Sequence, residues 1–346
     1  EEVIEFANML SSEGRIDELK ELLEKINNEI NRFPLNQRSE DNQLSLLKSK
    51  YEVESLIERN VIPEQIIIED NHIYAPDANH GIYISAGNTS GSAAHRSKVI
   101  NNLITAEDVG IRLYNLNYYD IYHNTVNVRD SYELQNNQYG TYLRLKNNIF
   151  STEANQAVIY FQHNVTGLTS DYNNLYTPYT YPVYYSYSNR TLAQWQSSYG
   201  QGENSLTLEP VFDGDSTLVP LSPSLNNQGT PIASVADDIN GVARSDSTPD
   251  MGALEFTSTA NPISGIVSVG PSGDYSTIHA LRQDLAANGV NGSLTVNIAS
   301  GTYNENISFG EISGASATNT ITLQSAALSA DSVVWQNNSD NYQYIY

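Results

Sequence analysis

Three basic side chains, Arg112, Arg144 and Lys146, stand near the carboxylates Glu107, Asp108 and Asp130. A base beside carboxylates that gather a cation is what proton abstraction from an acidic ligand needs. Arg144 and Lys146 are two residues apart, so an extended strand puts both on one face. No Asp-rich cluster flanks them, and solvated residues balancing acidic neighbours give the same pattern. Tyrosine is the other type that could do chemistry, with 24 in 346 residues. Tyr83, Tyr114, Tyr118, Tyr119, Tyr142 and Tyr184 suit an outward aromatic strip, since rings stack on sugar faces and offer hydroxyls. Ordinary packing along a repeat would use the same residues. Asp213-Gly214-Asp215 and Asp237-Asp238-Ile239-Asn240-Gly241 place oxygen ligands in loops, as Ca2+ prefers, without the EF-hand pattern. Turn chemistry accounts for both. His80, His95 and His163 lack metal-like spacing.

The elements that must position these residues repeat. Asn71-His72-Ile73-Tyr74, Asn101-Asn102-Leu103-Ile104, His123-Asn124-Thr125-Val126, Asn147-Asn148-Ile149-Phe150 and Asn173-Asn174-Leu175-Tyr176 share one pattern, at steps of 30, 22, 24 and 26 residues. A fixed period of this size marks stacked units. Asn tolerates left-handed backbone and suits a sharp turn, and the apolar pair that follows suits a strand entering a core. His72 and His123 replace Asn in this pattern and are read as structural. Between the turns lie Gly81-Ile82-Tyr83-Ile84, Gly110-Ile111-Arg112-Leu113, Gly140-Thr141-Tyr142-Leu143 and Ala157-Val158-Ile159-Tyr160. Alternation sends Ile82, Ile84, Ile111, Leu113, Thr141 and Leu143 inward and Tyr83, Arg112 and Tyr142 outward on one face. The expected fold is a mainly β, right-handed parallel β-helix. An antiparallel sandwich would need partner strands closer in sequence than these turns allow.

Composition narrows the function. The net charge of −23 argues against nucleic-acid binding and suits cation binding. Cysteine is absent, so there are no disulfides. No apolar run is long enough for a membrane span, and residues 1–20 lack the apolar segment of a signal peptide.

Three parts are expected: a helical segment 1–62, β-helix coils with a closing segment 63–256, and the start of a second β-helix module 257–346. In the first, Ile16, Leu19, Leu22, Leu23, Ile26, Ile30 and Phe33 keep a helical period ended by Pro34. Val3, Phe6, Ala7 and Leu10 make a shorter helix ending near Gly14, and Ser39 caps a third with Leu44, Leu47, Tyr51 and Leu56 apolar. The break falls at Ile62-Pro63. The closing segment carries Trp195, Glu209-Pro210-Val211-Phe212-Asp213, Leu221-Ser222-Pro223-Ser224-Leu225, Asp238-Ile239-Asn240-Gly241-Val242-Ala243-Arg244 and Pro249-Asp250-Met251-Gly252-Ala253-Leu254-Glu255-Phe256. Its apolar Val211, Phe212, Leu218, Leu221 and Leu225 are expected to cover the last coil. In this order the motifs resemble the C-terminal end of bacterial pectin-lyase-like parallel β-helix proteins, over roughly residues 66–256.

Residues 262–346, with Val267-Ser268-Val269-Gly270, Gly273-Asp274-Tyr275, a helix at 278–287, Leu294-Thr295-Val296-Asn297-Ile298 and a stretch from Ser300 to Ile307, resemble the N-terminal cap of repeated modules in large secreted proteins of Bacteroidetes-type bacteria. There the helix plugs the solenoid, a role for Ile278, Leu281 and Leu285 here. The resemblance implies a protein that is secreted or on the cell surface, and either an excerpt of a long tandem chain or segments that are not contiguous in the parent. Its lyase members abstract a sugar C5 proton with Lys or Arg while Ca2+ neutralises the uronate. It makes Arg112, Arg144 and Lys146 the catalytic candidates, while their own residue chemistry makes Tyr83, Tyr114, Tyr142 and Tyr184 the glycan-binding candidates and Asp213, Asp215, Asp237 and Asp238 the metal-ligand candidates. Asp-Ser pairs at Asp215-Ser216, Asp246-Ser247 and Asp331-Ser332 resemble O-glycosylation sites of such proteins.

The expected function is an extracellular structural or adhesive β-helix protein, non-enzymatic and glycan-contacting. The alternative is a polysaccharide lyase or hydrolase acting on acidic glycans, with Ca2+ as its ion. A third reading makes residues 1–62 a docking arm of a scaffold. Partners are then polysaccharide, cell-surface components or neighbouring modules.

Overall fold

The computed structural model describes residues 2–12, 15–32, 45, 47–54, 66–85, 93, 95–114, 116–305, 309–310 and 312–336. The expected turns and breaks at Gly14, Pro34 and Ser39, the apolar positions Phe33, Leu44 and Leu56, the boundary at Ile62-Pro63 and the last strand residues Asn306-Ile307 lie outside them. The chain forms two units, residues 1–65 and 66–346.

The first unit is helical, with α1 (Glu2–Ser12), α2 (Ile16–Arg32) and α3 (residues 47–54). Ala7, Leu10, Leu19, Ile26 and Val53 form its core, with Leu22 and Leu23 packed against them. These are the positions a helical stripe of period 3.6 brings to one side.

In the second unit the chain winds through five coils of three short strands. They are β1 (Ile67–Glu69), β2 (His72–Ala75) and β3 (His80–Ser85); β4 (Ser97–Ile100), β5 (Leu103–Ala106) and β6 (Val109–Tyr114); β7 (Tyr119–Tyr122), β8 (Thr125–Val128) and β9 (Tyr132–Asn136); β10 (Arg144–Lys146), β11 (Ile149–Thr152) and β12 (Ile159–Phe161); and β13 (Thr169–Asp171), β14 (Asn174–Tyr176) and β15 (Val183–Tyr185). Corresponding strands pair in parallel into sheet A (β1-β4-β7-β10-β13), sheet B (β2-β5-β8-β11-β14) and sheet C (β3-β6-β9-β12-β15, with β16, Ser188–Arg190, added antiparallel). This is a parallel β-helix, consistent with the right-handed winding expected of parallel crossovers. Its interior is an aliphatic and aromatic stack running from Ile82 and Val99 to Tyr185.

The turn between sheets A and B explains the repeated Asn. Asn71, Asn102, Asn124, Asn148 and Asn173 form one continuous ladder. Each of the first four side-chain amides donates to the next Oδ1, at 2.9, 2.8, 3.0 and 2.8 Å. Each of the same four backbone N–H groups donates to that oxygen as well. Asn173 hands its backbone N–H to Ser205 Oγ at 3.1 Å, where the ladder ends. The residue before each ladder Asn takes the left-handed conformation: Asp70, Asn101, His123, Asn147 and Tyr172, with φ between 51° and 57°. The ladder corrects the register read from the doublets. His72 is not a turn residue; it opens β2 opposite Leu103. His123 alone among the histidines occupies the turn. The first and last repeats start one residue earlier than the Asn doublets suggest.

A second correction concerns sheet C. Gly81 and Gly110 align with Glu133 and Val158. A Cβ on Gly110 would collide with Val126 Cγ1 and lie 2.9 Å from the Glu133 carbonyl oxygen, so the second coil requires Gly at this corner. Gly140-Thr141-Tyr142-Leu143 is not part of this row. Tyr142, at φ 55°, forms the turn into sheet A.

Helix α4 (Leu192–Tyr199) closes the last coil. Thr191 and Gln194 make a reciprocal capping box at its start and Gly200 ends it at φ 62°. Its Trp195 is fully buried against Tyr185 and Tyr199 and belongs to the solenoid core. The segment from Leu206 to Phe256 does not cap that end. It runs along the outer face of sheet B, where Phe212, Leu218, Leu225, Met251, Leu254 and Phe256 cover Leu103 and Ile149.

Residues 263–336 build separate parallel sheets, β17 (Ile263–Val269), β18 (Val290–Ile298) and β20 (Ile321–Ser325) in one and β19 (Gly301–Asn304) with β21 (Val333–Gln336) in another. Helix α5 (Ile278–Asn288) buries Ile278, Leu281 and Leu285 in their core.

Candidate functional site

Strand alternation sorts the functional candidates onto different faces. On sheet C one outward row crosses all five coils in register: Tyr83, Arg112, Gln135, Tyr160 and Tyr184. Tyr160 and Tyr184 stack at 4.5 Å with their planes 4° apart, and Tyr132 lies 4.5 Å from Tyr160 on the other side. Stacked rings spend their faces on one another, so this group presents edges and hydroxyls to the outside. Burial, then the neighbouring phenols of Tyr184 and Tyr132, push the Tyr160 hydroxyl up, which keeps it a hydrogen-bond donor. Tyr83 differs. It is 55% exposed, with the Arg112 guanidinium 5.7 Å from its ring. Arg112 donates to His80 Nε2 at 3.0 Å, and burial together with Arg112 lowers the His80 pKa, fixing the neutral tautomer with its proton on Nδ1. Tyr114 pairs with Ser85 at the end of the same strand and is exposed.

The remaining tyrosines lie elsewhere. Tyr118 and Tyr142 stack at 4.5 Å in the turn before sheet A, beside Arg96, so Tyr142 does not share the face of Tyr83. Tyr119 is 1% exposed and belongs to the core, not to an outward strip. A further row, Tyr139, His163 and Tyr187, runs along the other end of sheet C; His163 stacks on Tyr139 at 4.3 Å and Tyr187 approaches its Nδ1 at 3.1 Å. Neither Tyr132 and Tyr160 nor this row was singled out from the sequence. Their signal is the recurrence of aromatic residues 24 apart, as in His163 and Tyr187.

The basic candidates divide. Arg144 and Lys146 share the outer face of sheet A, as two-residue spacing requires, while Arg112 lies on sheet C and cannot act with them. Arg96 binds the Asp120 carboxylate at 2.5 Å, and Arg144 sits 3.9 Å from the same oxygen with 47% of its side chain exposed. Burial and Asp120 push the Tyr122 hydroxyl beside them up to about 12, against the opposing pull of Arg144. Tyr122 therefore stays protonated at neutral pH. Asp171, opposite Lys146, spends its carboxylate on Asn204, at 2.7 and 2.9 Å. Glu107, Asp108 and Asp130 belong to the corner between sheets B and C and do not join this group.

The metal candidates serve turns. Asp213 accepts from Thr217 Oγ1 and the Val219 N–H, at 2.5 and 3.0 Å. Asp215 gives its carbonyl to Thr105, and the Asp237 carbonyl accepts from Asn101. Asp238 is 4% exposed and accepts three backbone N–H groups, from Asn240, Val242 and Glu255. Among the described residues no three His, Cys, Asp or Glu side chains come together to hold a metal ion.

The most specific sequence motifs turn out to be a lock. Arg244, 8% exposed, binds Glu255 at 2.8 Å, Asn101 Oδ1 at 2.8 Å and the Gly252 carbonyl at 3.1 Å. Asn147 exchanges two hydrogen bonds with the Thr230 backbone, at 2.7 and 3.0 Å, and donates to His123 Nε2 at 2.8 Å. His123 Nδ1 faces the Gly252 carbonyl at 3.3 Å; burial and then Arg244 hold its pKa well below the usual range, so it is neutral. A Cβ on Gly252, at φ 85°, would collide with Thr125 Oγ1. The two members of each doublet thus divide the work. Asn102, Asn124 and Asn148 bind along the ladder, while Asn101, His123 and Asn147 hold the closing segment.

No helix among the described residues is long and apolar enough to cross a membrane. In comparisons with known proteins the chain matches no family model, no curated protein and no solved structure.

Proposed function

We propose that the protein is an extracellular, non-enzymatic structural or adhesive β-helix of a bacterial surface that contacts glycan through the outer face of sheet C. The observation that carries this reading is the registered row Tyr83-Arg112-Gln135-Tyr160-Tyr184, widened by Tyr132. Parallel rungs repeat at about 4.8 Å, so the row offers hydroxyl and guanidinium groups along an extended polymer, with the Tyr83 ring at one end and Gln135 buried between them. The ordered motifs of the closing segment and the cap-like helix α5 support kinship with pectin-lyase-like solenoids in tandem secreted proteins. Adjacent modules, polysaccharide and cell-surface components are the partners in this reading. Affinity electrophoresis of the whole chain in gels cast with acidic or neutral polysaccharides tests it. Retardation that weakens in Tyr83→Ala and Tyr160→Ala supports the proposal, and equal mobility in every gel removes it.

One observation favours a second reading, a polysaccharide lyase. Arg144, Lys146 and Tyr122 share the face of sheet A beside Asp120. Multiple-turnover release of unsaturated product, lost in Arg144→Ala, would establish it.

A further inference from the structure

The outer face of sheet B carries a cleft of about 250 Å³ between the solenoid, the closing segment and helix α5. Its floor includes Asn127 and Ser151, which occupy adjacent rungs in register. Arg129 lines it from the end of β8, Gln283 from α5, and Phe212 from the closing segment. A buried ion pair holds the walls together: Arg282, 8% exposed in its side chain, binds Glu209 at 2.6 Å.

The side chains of Asn127, Ser151, Arg129 and Gln283 have no hydrogen-bonding or ionic partner among the described residues. Buried and half-buried polar groups are normally satisfied within the protein. Ser151 is buried and Asn127 and Gln283 are half-buried, so three such groups open onto one concavity, which the exposed Arg129 also lines. The group combines an amide pair, a hydroxyl and a guanidinium beside an aromatic ring. Hydroxyl groups on a ring can meet all of these at once, acting as donors to the amide oxygens and as acceptors from the N–H groups. The neighbouring Phe212 ring supplies an apolar face.

We infer that this cleft is a saccharide-binding site for one or two sugar rings, separate from the tyrosine face of sheet C and independent of it. Because α5 supplies one wall, occupancy also ties residues 263–336 to the solenoid.

The test is ligand-observed NMR and calorimetry on the whole chain with galactose, N-acetylglucosamine, glucuronate and lactose. At least one should bind, with a dissociation constant of about 1 mM or tighter. Asn127→Ala and Gln283→Ala should each weaken it about tenfold, while Tyr160→Ala leaves it unchanged. Both side chains lie at the cleft surface, and an unshifted thermal midpoint shows that the variants fold. Binding by none of the four sugars overturns the inference. So does binding that Tyr160→Ala abolishes and Asn127→Ala and Gln283→Ala do not, which would assign it to sheet C instead.

Discussion

Asn148 Oδ1 accepts from both the backbone N–H and the side-chain amide of Asn124, each at 3.0 Å. The Asn124 amide also satisfies the carbonyls of Val99 and Tyr122, at 2.8 and 3.1 Å. One buried side chain therefore ties three coils together.

Asn124→Ala removes a donor from the Val99 and Tyr122 carbonyls and leaves the Asn102 backbone N–H without its acceptor. The Tyr122 carbonyl keeps the Asn101 N–H, and the Asn102 amide keeps the Ile68 and Ile100 carbonyls. Each orphaned buried group costs about 1–3 kcal/mol, so a loss of about 3–5 kcal/mol is expected from denaturant midpoints. Ser151→Ala, one coil away but off the ladder, should change stability by less than about 1 kcal/mol.

Glu133 stands where two earlier coils carry Gly, and it is fully buried with neither carboxylate oxygen partnered. Burial holds its pKa well above the usual range, with the backbone amides of Glu133 and Val128 opposing. An acid with a raised folded-state pKa is bound to its proton more tightly in the fold. Its contribution is most favourable at low pH and worsens as pH rises from the ordinary value of about 4.3 toward the folded value. Glu133→Val, matching Val158 in the next coil, should raise the thermal midpoint at pH 7. That advantage should shrink on acidification to pH 5.

His123 has the opposite sign. Its folded-state pKa is lowered, so its contribution is present above about 6.5 and is lost as pH falls below that value. His123→Asn, the residue used at the equivalent turns 101 and 147, should be less acid-sensitive between pH 7 and 5 than the parent.

Arg244→Met removes the cation that joins Glu255, Asn101 and the Gly252 carbonyl. Truncating one partner of a buried pair costs about 3–5 kcal/mol. The closing segment should loosen first, so amide exchange should rise at 238–256 while the ladder amides of Asn124 and Asn148 stay protected.

The period of the solenoid was legible because the ladder needs a carboxamide in every coil, and only Asn has the reach to bind both neighbours and its own turn. The register was less so. The left-handed position accepts Asp70 and Tyr172 as well as Asn, so the doublets at Asn71 and Asn173 mislead by one residue. Gly140-Thr141-Tyr142-Leu143 imitates the Gly110 strand locally, and only long-range pairing shows that β9 takes that place. The position of the closing segment was hidden because an apolar stretch does not say which surface it covers. A signal existed in Leu103-Ile104 and Ile149-Phe150. Strands apolar on both faces are covered on both. The lock was visible as motifs but not as chemistry, since Arg244 and Asn101 meet across 143 residues. The cleft joins rungs, closing segment and α5, and no local pattern announces it.

The most direct test of the central claim incubates the whole chain with alginate, pectin, glycosaminoglycan and neutral glycans, with and without Ca2+. Retention on immobilised polysaccharide and product formation are read together. A non-enzymatic glycan-contacting solenoid predicts retention that weakens in Tyr160→Ala, with no unsaturated product and no new reducing ends. Multiple-turnover product abolished by Arg144→Ala would contradict it and move the functional face from sheet C to sheet A.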